Sequence, residues 1–366
     1  MINFKILVLP LLLFLISCTN PVKAEEVDEN HIVWKKSDSP IIIDSLFTVG
    51  EHQTLTIEPG VEIRLKSEIF YTEMEIEQGF ESPFSAWDLL HIESPKVGMI
   101  SIKGTFLAEG DKENPIIFTR QNEGFWGSIF VDRAKNINME YCTIEYSSGS
   151  ISSQFNYRMS SIFINECSGS IQNCTIQNYK YNAVDLVNCL LFRIKNNTID
   201  GYSSIFTRDS HIVIENNLLL NCSRAILLQG YSVSYVVNNT FINPGDVFTV
   251  YSRGMTRIMN NIIFDIVKDG RYLSLNSIAG YAFENNLVTY QDHEFDTIEG
   301  NNWVSIDPYF VDEENGDFRL RSDSPLINIG TTDVEGYQFP ETDLYGNPRI
   351  VGAGIDLGCS EVQSNK

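Results

Sequence analysis

The sequence predicts an all-β solenoid, a parallel β-helix with an N-terminal β cap and a C-terminal capping segment, and three observations predict it. The first is a recurring phrase: "IKNNTIDGY" (Ile194–Tyr202), "IENNLLLNC" (Ile214–Cys222), "VVNNTFINP" (Val236–Pro244), "IMNNIIFDI" (Ile258–Ile266) and "FENNLVTYQ" (Phe283–Gln291). Degenerate copies, "MEYCTIEYS" from Met139 and "IQNCTIQNY" from Ile171, precede them. The anchors Cys142, Cys174, Asn197, Asn217, Asn239, Asn261 and Asn286 are 32, 23, 20, 22, 22 and 25 residues apart, a solenoid period. The second observation is the set of apolar columns that keeps register with these anchors. The third is the absence of a 3.6-residue period or a leucine-rich frame: each unit holds short β-branched and aromatic runs broken by Asn, Gly, Ser and Asp.

Each coil of the solenoid is built from three short strands. Two residues before each pair stand Met139, Ile171, Ile194, Ile214, Val236, Ile258 and Phe283; two after it stand Ile144, Ile176, Ile199, Leu219, Phe241, Ile263 and Val288. A third column runs Val184, Ile205, Ile226, Phe248, Leu273, and a fourth, two residues on, Leu186, Thr207, Leu228, Val250, Leu275. Spacing of two puts the last two columns on one strand face. Successive coils then stack about 4.8 Å apart, like residue on like. Asn suits the corner because it tolerates a left-handed bend and because its amide bonds the same amide one coil away. Cys142 and Cys174 fill the ladder column where Asn is missing. The ladder also accounts for three of the four Asn-x-Ser/Thr sites (Asn173, Asn196, Asn221, Asn238), which are not read as glycosylation signals.

The N-terminus reads as a processing segment. Residues 1–17 give a short basic start and an apolar run, "ILVLPLLLFLI", too short and too closely followed by polar residues for a membrane span. Leu-Ile-Ser-Cys ends it at Cys18 and looks like a bacterial lipobox, whose Cys is acylated and anchors the chain to a membrane; the alternative is a secretory signal cut near Ala24. Residues 18–39, beginning "CTNPVKAEEVDEN", read as an acidic tether. Thr19, rather than Asp, after the Cys favours the outer membrane or cell surface by resemblance to lipoprotein sorting signals. The 366 residues carry 48 acidic against 26 basic side chains, a net charge of −22, and no basic stripe, which argues against nucleic acid. Most of the six other cysteines are expected as buried free thiols, with no zinc spacing.

The β-helix is expected over residues 40–300 and the capping segment over 301–366. Upstream strands read from "LTIEPGVEIRLK" (Leu55–Lys66), "ISIKGTFLAEG" (Ile100–Gly110), "PIIFTR" (Pro115–Arg120) and "WGSIFV" (Trp126–Val131); the Ile41–Lys66 region is expected to cover the first coil. "DPYFVDEENGDFRLRSDSPLINIG" (Asp307–Gly330) and "DLYGNPRIVGAGIDLGCSE" (Asp343–Glu361) close the chain as cap chemistry. Together these residues resemble the pectin-lyase-like superfamily of right-handed parallel β-helix proteins, specifically its exported bacterial members, over about residues 40–361. The resemblance implies fold, handedness and export, in line with the crossover rule for parallel strands; many members have no assigned reaction. Within this frame residues 68–97 are an insertion rich in Glu and aromatics, a candidate functional ornament.

Superfamily enzymes work on the outer face of one sheet, and the resemblance therefore directs attention to the second strand's outward columns. These are Asp185, Phe206, Leu227, Thr249, Ser274 and Val187, Arg208, Gln229, Tyr251, Asn276. Asp185, Arg208, Asp209 and His211 are the candidate catalytic groups, a reduced version of a uronate lyase site with calcium as the cofactor such a site would take. A second basic residue in register is missing, because Gln229 and Tyr251 fill that column. A hydrolase needs a carboxylate pair, and the hydrolase motifs are absent; "RIK" at Arg193–Lys195 precedes "NNTID" in the wrong order. Arg208, Gln229, Tyr251 and Asn276 instead suit sugar stacking and hydrogen bonding. The expected function is a surface-anchored scaffold binding an extended ligand, most readily a glycan; the alternatives are a polysaccharide lyase or glycosidase, and a purely structural or adhesive envelope protein.

Overall fold

The computed structural model describes residues 30–68, 97–149, 160–275, 280–292 and 298–363. Three parallel sheets form the walls of one solenoid. Sheet A stacks ten strands from His31–Trp34 to Gly280–Glu284, sheet B eleven from Ile41–Ile43 to Trp303–Val304, and sheet C nine from Leu46–Val49 to Leu273–Leu275. The chain visits A, B and C in turn, so every strand pairs with its counterparts one coil before and after. The first coil begins at His31, earlier than expected, and the stretch expected to cover it supplies coils one and two themselves. The insertion leaves the solenoid between the sheet B strand Glu62–Leu65 and the sheet C strand Met99–Ile102; nearly all of it lies outside the described residues, as do Cys18 and the tether.

The apolar columns lie in register as the sequence predicts. Ile171, Ile194, Ile214, Val236, Ile258 and Phe283 follow one another in sheet A, and Val184, Ile205, Ile226, Phe248 and Leu273 in sheet C. All but Leu273 are buried in one continuous core. Leu275 keeps its register opposite Val250 but is 37 % exposed, because it sits on the last strand of sheet C with no further strand of that sheet stacked on it.

The corner from sheet A to sheet B divides its work between the two residues of each pair. The first is left-handed: φ is 54° at Asn173, 56° at Asn196, 54° at Asn216, 56° at Asn238 and 58° at Asn260. The second builds the ladder. Asn197, Asn217, Asn239 and Asn261 each donate from Nδ2 to Oδ1 of the next rung, at 3.0, 2.9, 3.0 and 2.9 Å. Each rung's Oδ1 also accepts the preceding rung's backbone N–H. Cys174 Sγ accepts from the Cys142 backbone at 3.4 Å, so the thiols do stand in the column. The sequence reading stopped at Asn286; the ladder runs one rung further, to Asn302.

The C-terminal segment packs over the outer side of the last coils. Leu218, Ile242, Ile262 and Leu287 point out of sheet B and form a second core with Phe310, Phe318, Leu320, Leu326, Leu357 and Cys359. The outer corner asparagines hold the same segment: Asn216 Nδ2 donates to Thr342 O at 2.9 Å, Asn238 Nδ2 to Asp356 O at 2.9 Å and Asn260 Nδ2 to Thr331 O at 2.8 Å.

Candidate functional site

Three neighbouring sheet C strands, Ser203–Arg208, Arg224–Gly230 and Asp246–Ser252, carry Arg208, Gln229 and Tyr251 in register. At about 4.8 Å per strand the three span roughly 10 Å along the solenoid axis. Tyr251 is 42 % exposed, and Arg208 and Gln229 are half-buried. Among the described residues no hydrogen bond or ion pair engages the Arg208 guanidinium. Asn276, the expected next member of the column, lies outside the described residues.

Two further groups belong to this edge and were missed in the sequence. Tyr231, 64 % exposed, and Arg253 stand at the corner from sheet C to sheet A, one coil apart. Arg253 Nη1 donates to Tyr231 Oη at 2.8 Å, and its guanidinium lies 5.4 Å from the Tyr231 ring centre. Each follows a column residue by two positions, Tyr231 after Gln229 and Arg253 after Tyr251, which is the signal that would have found them.

The four candidate catalytic groups are not gathered at one point. Asp185 is in register with Phe163 and Phe206 on the outer side of sheet C, but it is fully buried, and its Oδ1 accepts from Asn182 Nδ2 at 2.9 Å. The wall is closed here: Phe163 and Phe206 are buried too, and Phe163 stacks on Phe130 at 5.0 Å. Asp209 occupies a left-handed corner position, φ 51°, and its Oδ1 accepts from the Tyr231 backbone N–H at 2.9 Å. His211 begins the sheet A strand His211–Glu215, in register with Leu190 and Val233, around the corner from Arg208. The carboxylates a calcium-assisted lyase site needs are therefore not gathered around Arg208, and no group of three His, Cys, Asp or Glu among the described residues could hold a metal. The "RIK" arginine serves the scaffold: Arg193 Nη1 donates to buried Glu215 at 2.8 Å, and Tyr337 Oη donates to the same carboxylate at 2.5 Å.

What the edge offers is aromatic faces, an amide and two guanidinium groups, spaced one coil apart on a rigid wall. The described cysteines offer no nucleophile. All six are buried, and burial pushes the Cys189 thiol up to about 11 and the Cys222 thiol up to about 12.

A family model described as a right handed beta helix region matches residues 160–307, the stretch that carries the ladder and the Arg208–Tyr251 column. No curated protein matches the chain. Among solved structures, the crystal structure of pectate lyase Pel9A is similar at 13 % identity and a TM-score of 0.36, covering 86 % of this chain and 89 % of that one. The three stacked parallel sheets, the corner ladder and the matched region together make this chain a right-handed parallel β-helix.

Proposed function

We propose that the chain is an exported, lipid-anchored scaffold that binds an extended ligand, a glycan, along the Arg208–Tyr251 edge. The observation that carries this reading is the row itself. Arg208, Gln229 and Tyr251 stand one per coil, flanked by the Tyr231–Arg253 pair, so that stacking surfaces and hydrogen-bond donors recur at about the length of one sugar unit. Export and anchoring rest on the leader and on Leu-Ile-Ser-Cys, with Cys18 as the acylated residue and the outer membrane or cell surface as the destination.

A glycan panel incubated with the protein, with and without calcium, tests the reading. Binding without turnover is expected, and Tyr251→Ala or Arg208→Ala should weaken it about tenfold, roughly 1.4 kcal/mol. Unsaturated products or new reducing ends would move the protein to the lyase or glycosidase class. Absence of binding across the panel would leave a structural or adhesive envelope role. Independently, Cys18→Ala should release the protein from membranes or block its processing; an intact mass showing an unlipidated N-terminus beyond residue 18 overturns the anchor.

A further inference from the structure

The corner from sheet C to sheet A carries a second feature, which begins upstream of the glycan edge and shares Tyr231 and Arg253 with it. The strand Leu190–Lys195 contains a bulge between Leu190 and Phe192. Leu191 is the extra residue, at φ 57°, and it is 83 % exposed; Leu190 beside it is 55 % exposed. Among the described residues Leu191 is the only aliphatic one at positive φ, where Asn and Asp otherwise dominate. A left-handed leucine costs conformational energy, and no burial within the solenoid repays it. Bulges re-aim side chains, and this one aims two leucines at solvent.

The leucines open a ridge that continues down the corner. Exposed His211 takes the next coil, in register with Leu190, and Val233 and Met255 the two after it, with Tyr231 and Tyr281 alongside; all but half-buried Val233 are exposed. The ridge runs four coil steps, about 19 Å, parallel to the axis. Charge is distributed to match. In a chain of net charge −22, the corner segments from residue 187 onward hold only Arg208, Asp209, His211 and Arg253, and the Asp209 carboxylate accepts the Tyr231 N–H. The preceding coil carries exposed Glu166 at the same corner, and the basic stretch begins at Arg208. Exposed leucine and methionine with tyrosine and arginine at their flanks are the residue types of a membrane interface.

We infer that this ridge, led by the Leu190–Leu191 bulge, docks the solenoid side-on against an anionic lipid surface. The chain upstream permits it. His31 lies thirteen residue steps after Cys18, a reach of about 45 Å when extended, against about 24 Å from the first coil to the bulge. That last point rests on the anchoring reading above; the residue chemistry of the ridge does not.

The test uses the full chain in phosphatidylglycerol/phosphatidylcholine vesicles, with an environment-sensitive fluorophore on Met255→Cys and, as control, on exposed Glu123→Cys. The described native cysteines are buried and stay unlabelled. Lipids brominated on the acyl chain should quench the label at 255 and not at 123. Leu191→Asn suits the left-handed position, so it should leave the thermal midpoint unchanged or raised; combined with Leu190→Ser it should lower docking at least about tenfold. A vesicle-bound chain whose 255 label stays in water overturns the inference and spares the anchor. Association of Cys18→Ala with a buried 255 label keeps the inference and shows that docking does not need the anchor. A 255 label protected without vesicles, in proportion to protein concentration, assigns the ridge to a second copy and overturns the lipid reading.

Discussion

Asn238 and Asn239 are chain neighbours with different physical jobs. Asn238 takes the left-handed bend and gives its amide to the C-terminal segment, through Asp356 O. Asn239 points inward, fully buried, where its Oδ1 accepts from Asn217 and its Nδ2 donates to Ile214 O at 3.0 Å and to Asn261. Asn239→Leu should therefore orphan the Asn217 amide and the Ile214 carbonyl inside the core and cost about 1–3 kcal/mol. Asn238→Gly should cost less, since glycine takes the bend and the bonds lost are the outer ones, the donation to Asp356 O with its longer branch to Gly358 O and the long acceptance from Asn260 Nδ2. Urea unfolding of the two variants checks the ranking, and an equal or reversed order would sink this division of labour. The repeat made the pair legible; it did not say which Asn bends and which ladders. The same limit applies at the candidate site. Strand alternation and coil period together fix which residues share a column, so Arg208, Gln229 and Tyr251 could be aligned from the sequence. The burial of Asp185 and the use of Asp209 as a corner acceptor depend on what covers the wall and on local φ, and neither leaves a periodic trace.

At the scale of the element, the C-terminal segment hides charge. Arg349 is 1 % exposed and donates from Nη2 to Asp356 O and Gly358 O, both at 2.8 Å. Around it lie the buried carboxylates of Asp343, Asp356 and Glu361, which accept backbone N–H groups at Tyr345, Asn347, Asn328, Val362, Val351 and Asp356. Three carboxylates against one guanidinium leave an excess of negative charge in a place with little water. Burial, opposed by Arg349, raises the Glu361 carboxyl from 4.5 to about 7. A raised acid binds its proton more tightly folded than unfolded, so its contribution is fully present below about pH 4.5 and is lost as pH rises through about 7. Amide exchange across residues 343–361 should therefore quicken between about pH 5 and pH 7 beyond the intrinsic base-catalysed rise, and Glu361→Gln should remove that excess. An unchanged excess in the variant would show that the cluster does not govern the segment. The sequence held a signal for the segment's position that the column reading passed over. Outward sheet B residues are polar in the middle coils, at Thr175, Gln177, Thr198 and Asp200, and turn apolar at Leu218, Leu220, Ile242 and Ile262. A strand apolar on both faces is covered on both faces.

At the scale of the molecule, stability is quasi-one-dimensional within the stack, because each coil touches only its neighbours. The C-terminal segment breaks that rule. Its contacts to Asn216, Asn238 and Asn260 tie successive coils together across more than seventy residues of chain, and its apolar side chains complete the second core over Leu218, Ile242, Ile262 and Leu287. Truncation after Pro308 should thus act unevenly. The coils from Cys142–Glu145 to Thr198–Asp200 have polar outer faces on sheet B and, with the coils before them, keep their own core, so they should retain exchange protection. The later coils would expose Leu218, Ile262 and Leu287 in one column and Ile242 in the column beside it, a patch of the kind that drives association. The truncated chain is expected to bind a hydrophobic dye, to self-associate with rising concentration, and to be cut by protease first between residues 218 and 304. Uniform loss of protection along the whole solenoid would mean that the segment is needed for folding everywhere. No dye binding and no change in cleavage would mean that the second core adds nothing to the last coils.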